Sequence, residues 1–103
     1  LHHQVPRTLR YTDEAVADLD AIRRWQTQPG SGEAAIRRVK AIRTAVRTLL
    51  DVPCLYAISD HPGLRELICQ GHIVIYSLHP DTGRNDTAGD VTVLRIFGPR
   101  RLR

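Results

Sequence analysis

The 103-residue sequence contains no methionine, one tryptophan, one phenylalanine and two cysteines. With no Met at position 1, a start left by processing, trimming or tag removal is expected, and Leu1-His2-His3 reads as a tag remnant rather than a terminal metal-binding pair. Cys54 and Cys69 make neither a CxxC nor a zinc-type spacing. The reading is therefore a reducing, cytoplasmic setting. Apolar runs are only a few residues long, which excludes a membrane span and a signal-peptide core. No Walker loop, GxGxxG or HExxH occurs, and no histidine stands four residues from a second ligand on one helix. No metal and no cofactor is expected.

The composition is that of an ordinary globular chain, 42% apolar and 25% charged. Its length suits one domain, placed at residues 5–103, with residues 1–4 as the tag-like, disordered end. The formal charge is +4, which favours an acidic partner without choosing between nucleic acid and protein.

Val5 to Tyr11 alternates, with Pro6 near its start, as suits an edge strand. Thr12 can cap a helix whose first turn holds Asp13 and Glu14, where the helix dipole favours anions. Val16, Leu19, Ile22 and Trp25 form its predicted apolar face. Pro29-Gly30-Ser31-Gly32 is a turn. A second helix follows, with Ile36, Val39, Ile42, Val46, Leu49 and Leu50 as its apolar stripe. Arg37, Lys40, Arg43 and Arg47 lie beside that stripe, either as a solvated face or as a contact surface for an acidic partner.

Three strands are predicted after a Pro-containing connector: Leu64 to Cys69, His72 to Leu78 and Val91 to Phe97. Only Gln70-Gly71 separates the first two, which predicts a tight hairpin. The segment from His79 to Asp90 has turn residues and no apolar period, and reads as a long mobile loop. Ile73 and Ile75 alternate with Val74, Tyr76 and Leu78, so this strand is central and apolar on both faces. The fold class is α+β, in the order β-α-α-β-β-β, with a helical hairpin packed on a small antiparallel-rich sheet. A helical hairpin covers one face of such a sheet and leaves the other for a partner.

Arg65 and Arg95 fall on strands, and Arg100 and Arg101 follow the last strand. With antiparallel pairing these arginines can approach one another, beside Glu66, His72 and Tyr76. Guanidinium groups bind phosphates and carboxylates in bidentate fashion. The alternative is that Arg65 pairs with a structural carboxylate such as Asp60 or Glu66, and that residues 100–103 are a solvated tail.

Four segments carry a family resemblance. They are Asp18-Leu19-Asp20-Ala21-Ile22; Pro53 with Ser59-Asp60-His61-Pro62-Gly63-Leu64-Arg65-Glu66-Leu67; Gly71-His72-Ile73-Val74-Ile75-Tyr76; and Val93-Leu94-Arg95-Ile96-Phe97-Gly98-Pro99-Arg100-Arg101. In order and spacing they resemble the RelE/ParE toxin superfamily over about residues 7–101. The resemblance implies the toxin of a type II toxin–antitoxin, or plasmid-stabilisation, module. Its partner would be a cognate antitoxin, ParD-like or similar, in a hetero-oligomer that reaches operator DNA through the antitoxin.

RelE-like members are ribosome-dependent mRNA endonucleases, whereas ParE-like members inhibit DNA gyrase and are not hydrolases. Aligned on Gly71, Leu64 and Glu66 occupy the RelE lysine positions and Ile73 the arginine position, and no tyrosine follows Arg100. The ParE form is therefore the better match. His72 stands where ParE-like chains carry tyrosine, Pro99 departs from the terminal pattern, and residues 79–90 are an insertion.

The resemblance implies target contacts at Arg65, Glu66, Tyr76, Arg95, Arg100 and Arg101. It implies antitoxin contacts at Trp25, Arg37, Lys40, Arg43 and Arg47, with Trp25 as plain core the alternative. If the chain were a nuclease instead, Glu66, His72, Arg95 and Arg100 would be the catalytic candidates. A homologue that binds antitoxin without toxicity is the third reading.

Overall fold

The computed structural model describes residues 7–25, 32–58 and 60–98. The readings that fall on Val5, Pro6, Pro29 to Ser31, Pro99, Arg100, Arg101 and the side chain of Trp25 lie outside the described residues. The elements are β1 (Leu9–Tyr11), α1 (Asp13–Trp25), α2 (Gly32–Arg47), a 3-10 turn (Thr48–Leu50), β2 (Arg65–Cys69), β3 (His72–His79) and β4 (Asp90–Phe97). They make an α+β fold with one four-stranded sheet in the order β1-β4-β3-β2. β1 runs parallel to β4, and the other neighbours are antiparallel.

Thr12 joins three of these elements. Its hydroxyl accepts a hydrogen bond from Ala15 N at 3.1 Å, capping α1, and donates to Leu94 O at 2.9 Å. Its backbone N donates to Val93 O at 3.0 Å. The helix thus starts where β1 leaves the side of β4.

The helices bury a face slightly rotated from the predicted one. In α1, Ala15 and Leu19 are buried, Ile22 is half-buried, and Val16 is 43% exposed. In α2, Ala35 is buried and Ile36 is 58% exposed. The direction of α2 is set by Val39, Ile42 and Val46, all buried. That direction brings position 35 inward and turns position 36 about 100° away. Leu49 closes the stripe from the 3-10 turn, while Leu50 is only half-buried.

Gln70 and Gly71 both have positive φ, 55° and 77°, which gives the two-residue hairpin the twist its strands require. β3 is an interior strand, between β4 and β2, as its two-sided apolar pattern predicts. Val74, Tyr76 and Leu78 enter the core, and Ile73 and Ile75 are half-buried on the outer face.

A β-bulge decides which way β4 presents its side chains. Ile75 pairs with Arg95, but Tyr76 pairs with Val93, so Leu94 is skipped. Val91, Val93 and Ile96 all face inward, and Arg95 is turned outward. Strict alternation would have placed Arg95 on the same face as Val91 and Val93.

The segment between β3 and β4, expected to be mobile, is tied down at several points. The Arg7 guanidinium donates to Ala88 O at 2.8 Å and 3.1 Å, to Asn85 O at 2.6 Å, and to Leu50 O. Asn85 Oδ1 accepts from Cys54 N at 2.7 Å. Gly89 N donates to Pro80 O at 2.9 Å, and a Cβ on Gly89 would sit 1.9 Å from His79 O. Only a glycine fits that closure.

Candidate partner and target surfaces

Arg65 and Arg95 do not form the expected cluster, because they lie on opposite faces of the sheet. Arg65 pairs with Tyr76 and faces the core, where it is 6% exposed. Its Nε and NH2 donate to Asp81 at 2.8 Å and 3.0 Å, and NH1 donates to Tyr56 O at 2.7 Å. The carboxylate partner is Asp81, rather than Asp60 or Glu66. Asp81 also accepts from Gly83 N at 3.0 Å. The Arg65 hydrogen bond and charge, helped by that N–H, hold the Asp81 carboxyl below its usual range. The paired carboxylate in turn raises the Arg65 pKa. Arg65 thus joins β2, the connector at Tyr56 and the loop at Asp81.

Tyr76 is fully buried, and its hydroxyl donates to Pro53 O at 2.7 Å. Burial pushes its pKa well up. The expected surface contacts at Arg65 and Tyr76 are therefore corrected: both side chains hold the connector and loop onto the sheet.

The outer face carries two cross-strand rows, Glu66–Ile75–Arg95 and Ile68–Ile73–Phe97. Ile68 is 68% exposed and Phe97 is 45% exposed. Arg95 Nε and NH2 donate to Asp18 at 2.9 Å and 3.1 Å, and its guanidinium lies 4.9 Å from the Phe97 ring centre. Asp18 also accepts from Ile96 N at 2.8 Å, which closes the β4 edge beyond β1. Arg95 is therefore outward but already oriented by α1. Sequence reasoning missed Asp18, Ile68 and Phe97 as members of this surface. Alternation along β2 could have found Ile68; the bulge hides the placement of Phe97.

Of the nuclease candidates, Glu66 and Arg95 share the outer face, His72 does not, and Arg100 lies outside the described residues. His72 faces inward at 4% exposure, with Nδ1 3.0 Å from Gln70 O, and burial lowers its pKa. Among the described residues no group of three His, Cys, Asp or Glu is placed to hold a metal.

α2 is the strongly basic element. It holds Arg37, Arg38, Lys40, Arg43 and Arg47 against Glu33 alone, a net charge equal to the +4 of the whole chain. The structure divides these cations between two flanks. Arg43 lies 5.4 Å from the Tyr11 ring centre on the β1 side, and Arg47 also acts on Tyr11. Burial raises the Tyr11 pKa, against the opposing pull of those two arginines. The other flank borders the β2–β3 turn, where Cys69 Sγ sits 3.7 Å from Ala41 O. A shallow open groove runs there, floored by Ala34, Ala41 and Ala45 and ending at Gln70. Arg37 and Lys40 are exposed along it, whereas Arg38 is half-buried on the same stripe as the alanines. Arg37 is paired only with Glu33, at 3.7 Å on the exposed surface.

A short β1, a helical hairpin and an antiparallel hairpin-plus-strand, with Ile68 and Phe97 exposed on one sheet face, define a small α+β domain. The family model described as the ParE toxin of the type II toxin–antitoxin system parDE matches residues 9–102, and the chain belongs to that family. Among solved structures it is similar to one described as the chromosomal ParDE TA system from P. aeruginosa. That similarity has a TM-score of 0.73 and 25% identity, covering 92% of this chain and 98% of the other. A search of curated proteins finds no match. Among the described residues no helix is long and apolar enough to cross a membrane.

Proposed function

We propose that this ParE-family chain inhibits DNA gyrase by binding it, and that a cognate antitoxin neutralises it in a hetero-oligomer. The observation that carries this reading is the family match over residues 9–102, together with the separation of His72 from Glu66. Cleavage of RNA by its own 2′-hydroxyl needs a base, an acid and cations converging on one phosphate. Here Glu66 and His72 face opposite sides of the sheet, and Leu64 and Ile73 stand where the nuclease branch carries cations.

The target surface in this reading is the outer sheet face. Glu66 and Arg95 supply its polar row and Ile68 and Phe97 its apolar row; Arg100 and Arg101, outside the described residues, are further contacts expected from the sequence. The antitoxin meets the basic helix α2, with Arg37 and Lys40 on its open side and Trp25 on the preceding helix. Through the antitoxin the pair would reach operator DNA. Gyrase as target places the action in the cytoplasm.

Expression of the chain alone in bacteria tests the reading. The expected result is arrest with loss of plasmid supercoiling, relieved by co-expression of the adjoining gene's product. Arrest with intact supercoiling and cleaved mRNA would transfer the chain to the nuclease reading. No arrest would make it a binding homologue without toxicity.

A further inference from the structure

On the outer sheet face the two cross-strand rows are symmetric about β3. At these rows the paired strands are β2, β3 and β4, because β1 pairs with β4 only as far as Val93. β3 runs down the middle, with Ile73 and Ile75 on it. Glu66 and Arg95 stand one strand to either side of Ile75, and Ile68 and Phe97 one strand to either side of Ile73. Neighbouring strands lie about 4.8 Å apart, so each flanking pair spans about 10 Å. Opposite charges end one row, and exposed apolar side chains end the other. The charged groups also have binding capacity to spare. Glu66 has no ion-pair partner among the described residues. Arg95 gives Nε and NH2 to Asp18, and its NH1 makes no hydrogen bond among the described residues.

We propose that this face seats the same face of a second copy of the chain, about a twofold axis parallel to β3. Rotation about that axis lays β2 of each copy over β4 of the other, as an isologous contact requires. Glu66 of each copy then meets Arg95 of the other, and Ile68 meets Phe97. Ile73 and Ile75 lie on the axis and each meets its own counterpart. Facing sheets pack about 10 Å apart with their strands nearly aligned, a gap that Glu and Arg side chains close from both sides. A twofold axis across the strands would instead lay Glu66 on Ile68 and Arg95 on Phe97, burying each charge without a partner.

The basic helix does not oppose this contact. It packs on the other side of the sheet, where Cys69 Sγ approaches Ala41 O, so its charge lies behind the interface. Two rows on three strands form a patch smaller than the about 800 Å² per partner of a standard interface. The association is therefore weak, with a dissociation constant of about 10–100 µM. It covers, on both copies, the face that the reading above assigns to gyrase, so the concentrated chain withholds its own target surface. The contact itself does not depend on what the target is.

The test is sedimentation equilibrium of the antitoxin-free chain at concentrations from about 1 µM to about 1 mM, which bracket that constant. A monomer–dimer equilibrium is expected. Glu66→Arg sets like charges against each other at both ends of the polar row and should weaken the dimer about tenfold or more. Glu33→Arg makes the same charge change on α2, behind the sheet, and should match the unmodified chain. Ile73→Asp and Ile73→Lys each set a charge against its own copy on the axis, and neither should dimerise alone. Their equimolar mixture should recover the dimer by about tenfold or more, because the axis sets the carboxylate of one against the amine of the other.

If the Ile73 variants do not fold, Glu66→Arg measured against Glu33→Arg decides alone. An unmodified chain still monomeric at the highest concentration, a dimer that Glu66→Arg leaves intact, or folded Ile73 variants that gain nothing on mixing would each overturn the proposal. Each of these results leaves the gyrase reading standing, and a chain that dimerises as expected but spares gyrase overturns that reading alone.

Discussion

The Arg65–Asp81 pair should be one of the most costly polar contacts in this chain to break. Asp81→Asn keeps the shape but removes the charge, leaving an Arg65 side chain of 7% exposure without its counter-ion. Breaking a fully buried pair costs about 3–5 kcal/mol. The Asp81 side chain retains 22% exposure, and Tyr56 O still accepts from Arg65, so the cost falls below that range, to about 2–3 kcal/mol. In a domain of this size that lowers Tm by roughly 10–20 °C.

Arg65→Met should cost a similar amount, because it leaves Tyr56 O without its donor while Asp81 turns to water. The double variant should lose less than the two singles added, with a coupling of about 1–2 kcal/mol. The pH dependence has a definite sign. Asp81 is depressed below its ordinary 3.8. Its contribution is therefore complete above that value and is lost as pH falls through the folded-state value. The gap between unmodified chain and Asp81→Asn should be flat near neutrality and close in acid. Urea titrations of the four proteins at neutral and acid pH measure all of this. Single losses below about 0.5 kcal/mol that simply add would refute the clamp.

Three further outcomes follow from the geometry. Tyr76→Phe removes the buried donor to Pro53 O and should destabilise by about 1–3 kcal/mol without a cavity, read as a lower urea midpoint at unchanged slope. Gly89→Ala drives a Cβ into the His79 carbonyl and should cost at least about 2 kcal/mol by thermal melt; a melt equal to that of the unmodified chain would contradict the loop closure described. Ile68→Asp, at 68% exposure, should move stability by less than about 0.5 kcal/mol yet abolish gyrase inhibition, and full inhibition by the folded variant would remove the outer face from the mechanism.

The parts of this fold that were legible in the sequence are those governed by local chemistry. The Thr12 cap, the Gln70-Gly71 turn, the two helices and the interior position of β3 depend on neighbours in the chain. What was not legible depends on long-range geometry. Ile36 outranks Ala35 in hydrophobicity, yet the helix rotation set by Val39, Ile42 and Val46 buries the alanine. The loop between β3 and β4 has no apolar period, yet Arg7, Arg65 and Cys54 reach it from distant positions with hydrogen bonds that no periodicity records.

The candidate site suffered most from one residue. The bulge at Leu94 sends Arg95 to the outer face, while Arg65 faces inward, so two arginines that alternation could bring together are divided by the sheet. The same division separates Glu66 from His72. Family membership was legible through the order and spacing of weak motifs, because each sits at a structural joint: Asp18 at the β4 edge, Arg65 at the loop clamp, Gly71 in the hairpin turn.

The most direct test of the proposed function is plasmid supercoiling by purified gyrase, titrated with the antitoxin-free chain. The account predicts loss of supercoiling with trapped, linearised DNA, restored when antitoxin is added first. Undiminished supercoiling at a large molar excess of folded toxin would contradict it.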